Sequence, residues 1–338
     1  MVNRFHWQTR FALVLFVLAG ILTSVFGSSC SPSGYSDPVE SVTVGYQLHV
    51  GSALIHIAEN QGIFKSNGLH ITFKEYVSGA EAVNGLMRSE VDFSVAPEFV
   101  IIQHVLNKEG IRVLGSISEV DNTYLVARID RGIHNPPDLK YKRIGIRQQA
   151  SGRFYFGRFL ELNGLSIKQV NLVDVNADNF LSAIIDGEVD AVVTYPPYVD
   201  QLNQQLGGSA TVWPIQNSQP GYSLLVSRDD LILKHPDFAN RFLKSLTQAE
   251  QYYVLHPSEV KAIVQSKLKL DSAAMEANWT GSQFSLSLDQ SLIIAMEDEA
   301  RWMISNNLTA EKQVPNLLDY IYEDALKAIK PEAVNIIR

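Results

Sequence analysis

At 338 residues the chain is long enough for two lobes, and its 46% apolar and 19% charged residues describe a globular protein rather than a disordered one. A formal net charge of -8, with no basic run longer than Lys140-Tyr141-Lys142-Arg143, argues against a nucleic-acid partner, which needs a positive surface to displace counterions. The single cysteine excludes intrachain disulfides and cysteine-ligated zinc.

The first 36 residues contain no acid: Arg4 and Arg10 precede an apolar run from Phe11 to Phe26, and Gly27-Ser28-Ser29 follow. Basic, apolar, small is the order of a secretory signal, and the run falls short of the roughly 20 residues of a membrane span. Residues 1–29 are therefore read as a signal peptide, with a retained anchor helix as the alternative. Cys30 follows directly, and its position resembles a bacterial lipobox, although Gly27 stands where such boxes carry an aliphatic residue. That resemblance implies a lipidated Cys30, a membrane anchor and a flexible tether over 30–40. An ordinary signal-peptidase site with an incidental thiol is the plainer reading.

Beyond the tether one plan occurs twice. Val42-Thr43-Val44-Gly45-Tyr46 is a β-branched strand, followed by a polar loop and a helix pattern over Ala53–Asn60. Asn67-Gly68-Leu69 leads into a strand over His70–Tyr76. Ser78-Gly79 starts a helix over Ala80–Arg88, and Glu90-Val91-Asp92 opens the strand Phe93-Ser94-Val95, which ends at Ala96-Pro97-Glu98. The series recurs roughly a hundred residues later. Its members are Arg143–Ile146, a helix over Arg153–Leu162, Asn163-Gly164-Leu165, a strand over Val170–Val175 and a helix over Asn179–Asp186. Glu188-Val189-Asp190 and the strand Ala191-Val192-Val193 complete it. Alternating strands and helices predict mainly parallel sheets, with ligands outside the carboxyl ends of the strands. The fold class is therefore α/β, two doubly wound lobes facing each other across a cleft. Tyr124–Ala127 and Gly221–Val226 read as two crossings, so the second lobe (126–224) is an insertion between 41–125 and 225–338 of the first. The tail reads as helices over Phe238–Leu255 and Leu292–Asn306 that buttress the first lobe and carry no ligand chemistry.

These segments resemble the nitrate, sulfonate and taurine binding-protein family. Gly62 to Leu69 is similar to its GxFxxxGL turn, and the two Glu-Val-Asp junctions to its GEVD turns. Asp138-Leu139-Lys140-Tyr141-Lys142-Arg143-Ile144-Gly145 resembles its DLKGKKIG segment, Pro197-Tyr198 its PY, and His235-Pro236-Asp237 its HPE. The matches run in register over about residues 40 to 335. The resemblance implies a type II periplasmic-binding-protein fold with two hinge crossings. It implies a monomeric receptor, held at the membrane by its lipid, that hands a small solute to an ABC permease and its ATPase. Nitrate, bicarbonate, taurine, alkanesulfonates or thiamin pyrimidines are the solutes it implies.

Family contacts lie in the loops after the strands, and elementary physics selects the same places. Helix starts present free N–H groups and a positive dipole end, which makes Ser52, Ser78, Gly79, Ser151 and Gly152 candidates for ligand contact, with plain helix capping as the alternative. Glu98, at a strand end, suits an amine or aminopyrimidine, or else serves only the first turn of the next helix. Tyr46 and Tyr195 can stack on a ligand, and Gln47, His49 and Gln149 are polar loop-tip candidates. Neither a metal nor a cofactor is expected. Walker A, H-E-x-x-H and G-x-S-x-G motifs are absent. A pyrimidine-precursor synthase of similar fold depends on a cysteine-rich motif that Cys30 alone does not supply. A receptor that reports its ligand to a membrane signalling partner remains the other alternative.

Overall fold

The computed structural model describes residues 38–216 and 219–338. The signal peptide, Cys30 and the tether as far as residue 37 lie outside the described residues. No helix among the described residues is long and apolar enough to cross a membrane.

Among the described residues eleven strands form two sheets. The first contains β1 (Glu40–Tyr46), β2 (Leu69–Glu75), β3 (Phe93–Pro97) and β4 (Ile111–Val120). The second holds β5 (Tyr124–Arg128), β6 (Arg143–Ile146), β7 (Asn171–Asp174), β8 (Ala191–Thr194) and β9 (Ala210–Pro214). The chain then returns to the first sheet as β10 (Gly221–Arg228) and the short β11 (Ser282–Gln283). The orders are β11-β4-β10-β3-β1-β2 and β7-β6-β8-β5-β9. In each sheet the first three strands of the repeated plan are parallel, and the strand arriving from the other lobe (β10 or β5) pairs antiparallel to the third. The fold is thus the type II arrangement of two α/β lobes.

The repeated triplets have a structural cause. After the first helix pair, the Asn67 side chain donates to the Ile63 carbonyl at 3.1 Å, and Gly68 adopts φ 72°. In the second lobe Asn163 donates to the Phe159 carbonyl at 2.8 Å, and Gly164 adopts φ 74°. The asparagine ties the helix end, and the glycine supplies the left-handed turn that an L side chain resists. The aspartates of Glu-Val-Asp each accept a backbone N–H of the first strand of the repeated plan. Asp92 accepts from the Thr43 N–H at 2.8 Å, and Asp190 from the Arg143 N–H at 2.9 Å.

Helices cover the sheets: α1 (Ala53–Asn60), α2 (Gly79–Met87) and α3 (Glu98–Leu106) in the first lobe, and α4 (Gly152–Leu162) in the second. The tail adds α5 (Pro236–Leu255) and α6 (Gln290–Ser305), which pack on α1 and α3 respectively. Phe242 of α5 stacks on Phe93 with ring centres 4.8 Å apart. The main core runs through the first lobe and the inner side of the second, while a smaller core around Phe180, Val192 and Leu202 fills the second lobe's outer side.

Two boundaries differ from expectation. Tyr124–Ala127 and Gly221–Val226 are not crossings: each lies wholly within one sheet. The chain passes between lobes at Asp121–Thr123 and between Pro214 and Gly221. Buried Gln216 fastens one crossing to the other. Its carbonyl oxygen accepts from the Asn122 N–H and the Thr123 hydroxyl at 3.2 and 2.9 Å, and its amide donates to the Val120 carbonyl at 2.7 Å.

Candidate functional site

A cleft of about 750 Å³ opens between the carboxyl ends of the parallel strands of the two sheets. The first lobe lines it with Gln47 to Val50 after β1 and with Tyr76 to Ser78, Ala80 and Glu81 after β2. Facing them are Arg147 to Gln149 after β6, Asp174 and Asn176 to Asp178 after β7, and Tyr195, Pro197 and Tyr198 after β8.

His49 accepts the Gly51 N–H at Nδ1, at 3.0 Å, so a neutral ring carries its proton on Nε2. Burial pushes the ring down to about 4, and His49 is a neutral donor at ordinary pH. Ser78 caps α2, its oxygen accepting from the Glu81 N–H at 3.1 Å. Gly79 behind it is needed for close approach: a Cβ there would meet Pro97 Cδ at 2.7 Å and Ala96 Cβ at 3.2 Å. On the opposite wall Tyr195 and Tyr198 meet edge to face at 5.5 Å, and both stand against Phe180. Burial raises the Tyr195 hydroxyl above its usual value, while the positive charge of nearby Arg147 acts in the other direction. Asp174 accepts from the Gln148 N–H at 3.1 Å, which fixes the loop after β6 to the end of β7. The charged side chains in the lining are the acids Glu81, Asp174 and Asp178 and the single base Arg147.

The cleft thus brings together Gln47, His49, Ser78, Gln149 and Tyr195 of the expected contacts. The others lie elsewhere. Tyr46 falls on the same face of β1 as Val42 and Val44, because alternate strand residues share a face, and its ring packs in the core against His56 and Phe73. Ser52 is fully buried and makes no side-chain cap to α1. Gly79 supports the α2 start without lining the cleft. Ser151 already has helical φ and ψ, which turns its hydroxyl inward, and Gly152 sits against Val193. Glu98 is fully buried at the start of α3, bonded to Tyr155 and to the Tyr222 N–H, and does not line the cleft.

Sequence reasoning did not single out Tyr76, Glu81, Asp174 or Asp178. Asp174 and Tyr76 stand at or just beyond a strand's carboxyl end, so the strand-end rule applied strictly would have reached them. The tail was expected to carry no ligand chemistry, yet Leu268, Leu270 and Asn278 border the cleft. No local pattern marks them, because only the docking of the tail, including the packing of the helix Pro257–Leu268 against α1, brings them there. Among the described residues no group of three or more His, Cys, Asp or Glu is placed to hold a metal ion.

Comparison with known proteins agrees with this geometry. The family model described as NMT1/THI5 like matches residues 50–260. The taurine-binding periplasmic protein of Escherichia coli K12 is 26% identical over 220 residues, covering 64% of this chain and 68% of that protein. The alkanesulfonate-binding protein SsuA from Xanthomonas axonopodis pv. citri, solved with MOPS bound, superposes with a TM-score of 0.71 at 17% identity, over 86% of this chain and all of SsuA (100%). The desulfurization enzyme DSZB superposes with a TM-score of 0.63 at 16% identity, over 86% and 99% of the two chains. One architecture therefore serves both binding and catalysis, and the site must decide between them.

Proposed function

We propose, from the premise that this chain belongs to the NMT1/THI5-like family, that it is an extracytoplasmic solute-binding protein of an ABC importer. It captures a small polar solute between its lobes and presents it to a membrane permease. The observation that carries this reading is the cleft itself: loops from the carboxyl ends of strands in both sheets face each other, so a bound solute bridges the lobes and favours their closure.

The lining selects among solutes. Three acids against one arginine disfavour a bare anion such as nitrate. A short zwitterion of the aminosulfonate kind fits both signs. Its sulfonate meets the α2 start at Ser78, neutral His49 and Arg147, and its ammonium meets Asp174 or Asp178 beside the tyrosines. The taurine- and alkanesulfonate-binding relatives support this class. Lipidation of Cys30 would keep the receptor near its permease, and Cys30→Ser should release it from the membrane fraction.

Thermal denaturation with taurine, ethanesulfonate, nitrate and an aminopyrimidine tests the reading. A solute at 100 times its dissociation constant adds about 2.7 kcal/mol of stability. Taurine should stabilise more than ethanesulfonate, and nitrate should have no effect. Stabilisation by none of the four would withdraw the reading.

A further inference from the structure

Where the second lobe rests on the first, two acids meet inside the protein. Glu98 opens α3 and Glu299 lies on α6, and both are fully buried. One Glu98 oxygen accepts from the hydroxyl of Tyr155 on α4 at 3.0 Å, and the other from the Tyr222 N–H of β10 at 2.9 Å. Tyr155 belongs to the second lobe and the rest to the first, so this hydrogen bond spans the seam just after the chain's return crossing. The Glu299 carboxyl lies against that of Glu98, and among the described residues no N–H or O–H donor reaches either Glu299 oxygen. Asp298 adds a further negative charge near Glu299. The Tyr222 phenol, near enough to feel the Glu98 charge, is set among Ser291, Glu119 and Asp289. Neither acid forms an ion pair with a lysine, arginine or histidine among the described residues.

Two touching carboxyl groups in a dry interior cannot both be ionised without a cation beside them. A protonated carboxyl, in contrast, is the donor that an ionised neighbour needs. We propose that Glu98 and Glu299 form a proton-binding site at the hinge: Glu299 carries one proton, donates it in a hydrogen bond to ionised Glu98, and thereby fixes how the second lobe seats on the first. Burial raises both acids, and the Glu98 charge raises Glu299 further, which favours keeping the shared proton. When Glu299 releases that proton to solvent, two like charges remain in contact. The repulsion is relieved only by parting α6 from α3 or by admitting water, and either change loosens Glu98 as the seat of Tyr155. Lobe closure is thereby linked to proton occupancy. The site lies away from the cleft and its test needs no ligand, so its failure would leave the solute-binding reading intact.

Infrared difference spectra and an interlobe distance test the proposal together. Spin labels at Leu162→Cys and Leu233→Cys, both exposed and on different lobes, report the distance in a Cys30→Ser background. At pH 7 the unlabelled protein should show a protonated-carboxyl stretch that disappears in Glu299→Gln, whose amide donates to Glu98 without a titrating proton. As pH is raised above neutrality the distance distribution should broaden in the parent and stay narrow in Glu299→Gln. Tyr155→Phe should keep the carboxyl stretch but lose the dependence of distance on pH. A stretch absent from the parent at pH 7, one unchanged by Glu299→Gln, or a parent distance indifferent to pH would each overturn the proposal. Absence of the stretch from the parent overturns the proposal even if a variant does not fold.

Discussion

Gly157→Ala tests how closely the lobes are seated. Gly157 lies on α4, and a Cβ there would stand 2.3 Å from Trp302 Cζ2, 2.7 Å from Cε2 and 2.9 Å from Nε1. Trp302 is 5% exposed and held by Phe99 and Phe154, with ring centres 6.3 and 5.7 Å away, so the indole has little room to retreat. Carbon atoms pack at about 3.5–4.0 Å, so α4 must back away from α6 by about an ångström or more. Overpacking of this kind costs about 1–3 kcal/mol, and alanine in place of helical glycine returns about 1 kcal/mol. A net loss of up to about 2 kcal/mol is expected. For a chain of this size, with an unfolding entropy of about 2.1 cal/mol/K per residue, that lowers Tm by up to about 3 °C. Denaturant titration gives the free energy, and thermal melting gives the Tm. Trp302→Phe, which shortens the opposing ring, should recover part of the loss when combined with Gly157→Ala, giving a coupling of about 0.5 kcal/mol or more. Stabilisation by Gly157→Ala alone would mean that propensity outweighs contact and that α4 does not rest on Trp302.

Burial and the Glu98 charge raise Glu299, so the folded chain keeps a proton that the unfolded chain loses above about pH 4.5. The pair's contribution to stability is therefore greatest below that pH and is lost as pH rises towards the raised value. Glu299→Gln should gain on the parent as pH rises above about 4.5 in denaturant titrations, by at most about 1.4 kcal/mol per pH unit, and a constant difference would refute this. Ser89 has φ 61° at the position where the second lobe has Gly187 at φ 76°, so Ser89→Gly should raise stability by about 0.5–1 kcal/mol, and a loss would contradict the repeat's turn geometry. Arg147→Ala should weaken binding of taurine by about 10- to 100-fold in calorimetry, the effect of about 1.5–3 kcal/mol for a charged hydrogen bond, and unchanged affinity would remove Arg147 from the site. Burial holds His49 down to about 4, so its ring resonances should show no titration between pH 5.5 and 8, and a midpoint near 6.5 would contradict its placement.

Much of the fold was legible because local chemistry repeats. Asn67-Gly68 and Asn163-Gly164 each end a helix in the same way, and Asp92 and Asp190 each bond the backbone of the corresponding first strand, so the motifs report structure directly. The loops after β1, β6 and β8 were also readable, since strand ends carry the cleft. The remainder depends on tertiary placement. Helix-start serines at Ser52 and Ser151 look alike in sequence to Ser78, but only α2 begins at the mouth of the cleft. Glu98 read as an acid aimed at a ligand, because nothing local announces that Tyr155 and Glu299 enclose it from other elements. Leu268, Leu270 and Asn278 reach the site only through the docking of the tail.

Fluorescence energy transfer between dyes on Leu162→Cys and Leu233→Cys, titrated with taurine and with ethanesulfonate in a Cys30→Ser background, tests the central claim most directly. The account predicts a saturable change in interlobe distance, one solute per protein, at lower concentrations of taurine than of ethanesulfonate. A distance that stays constant at saturating amounts of both would contradict a cleft that closes on a small sulfonate.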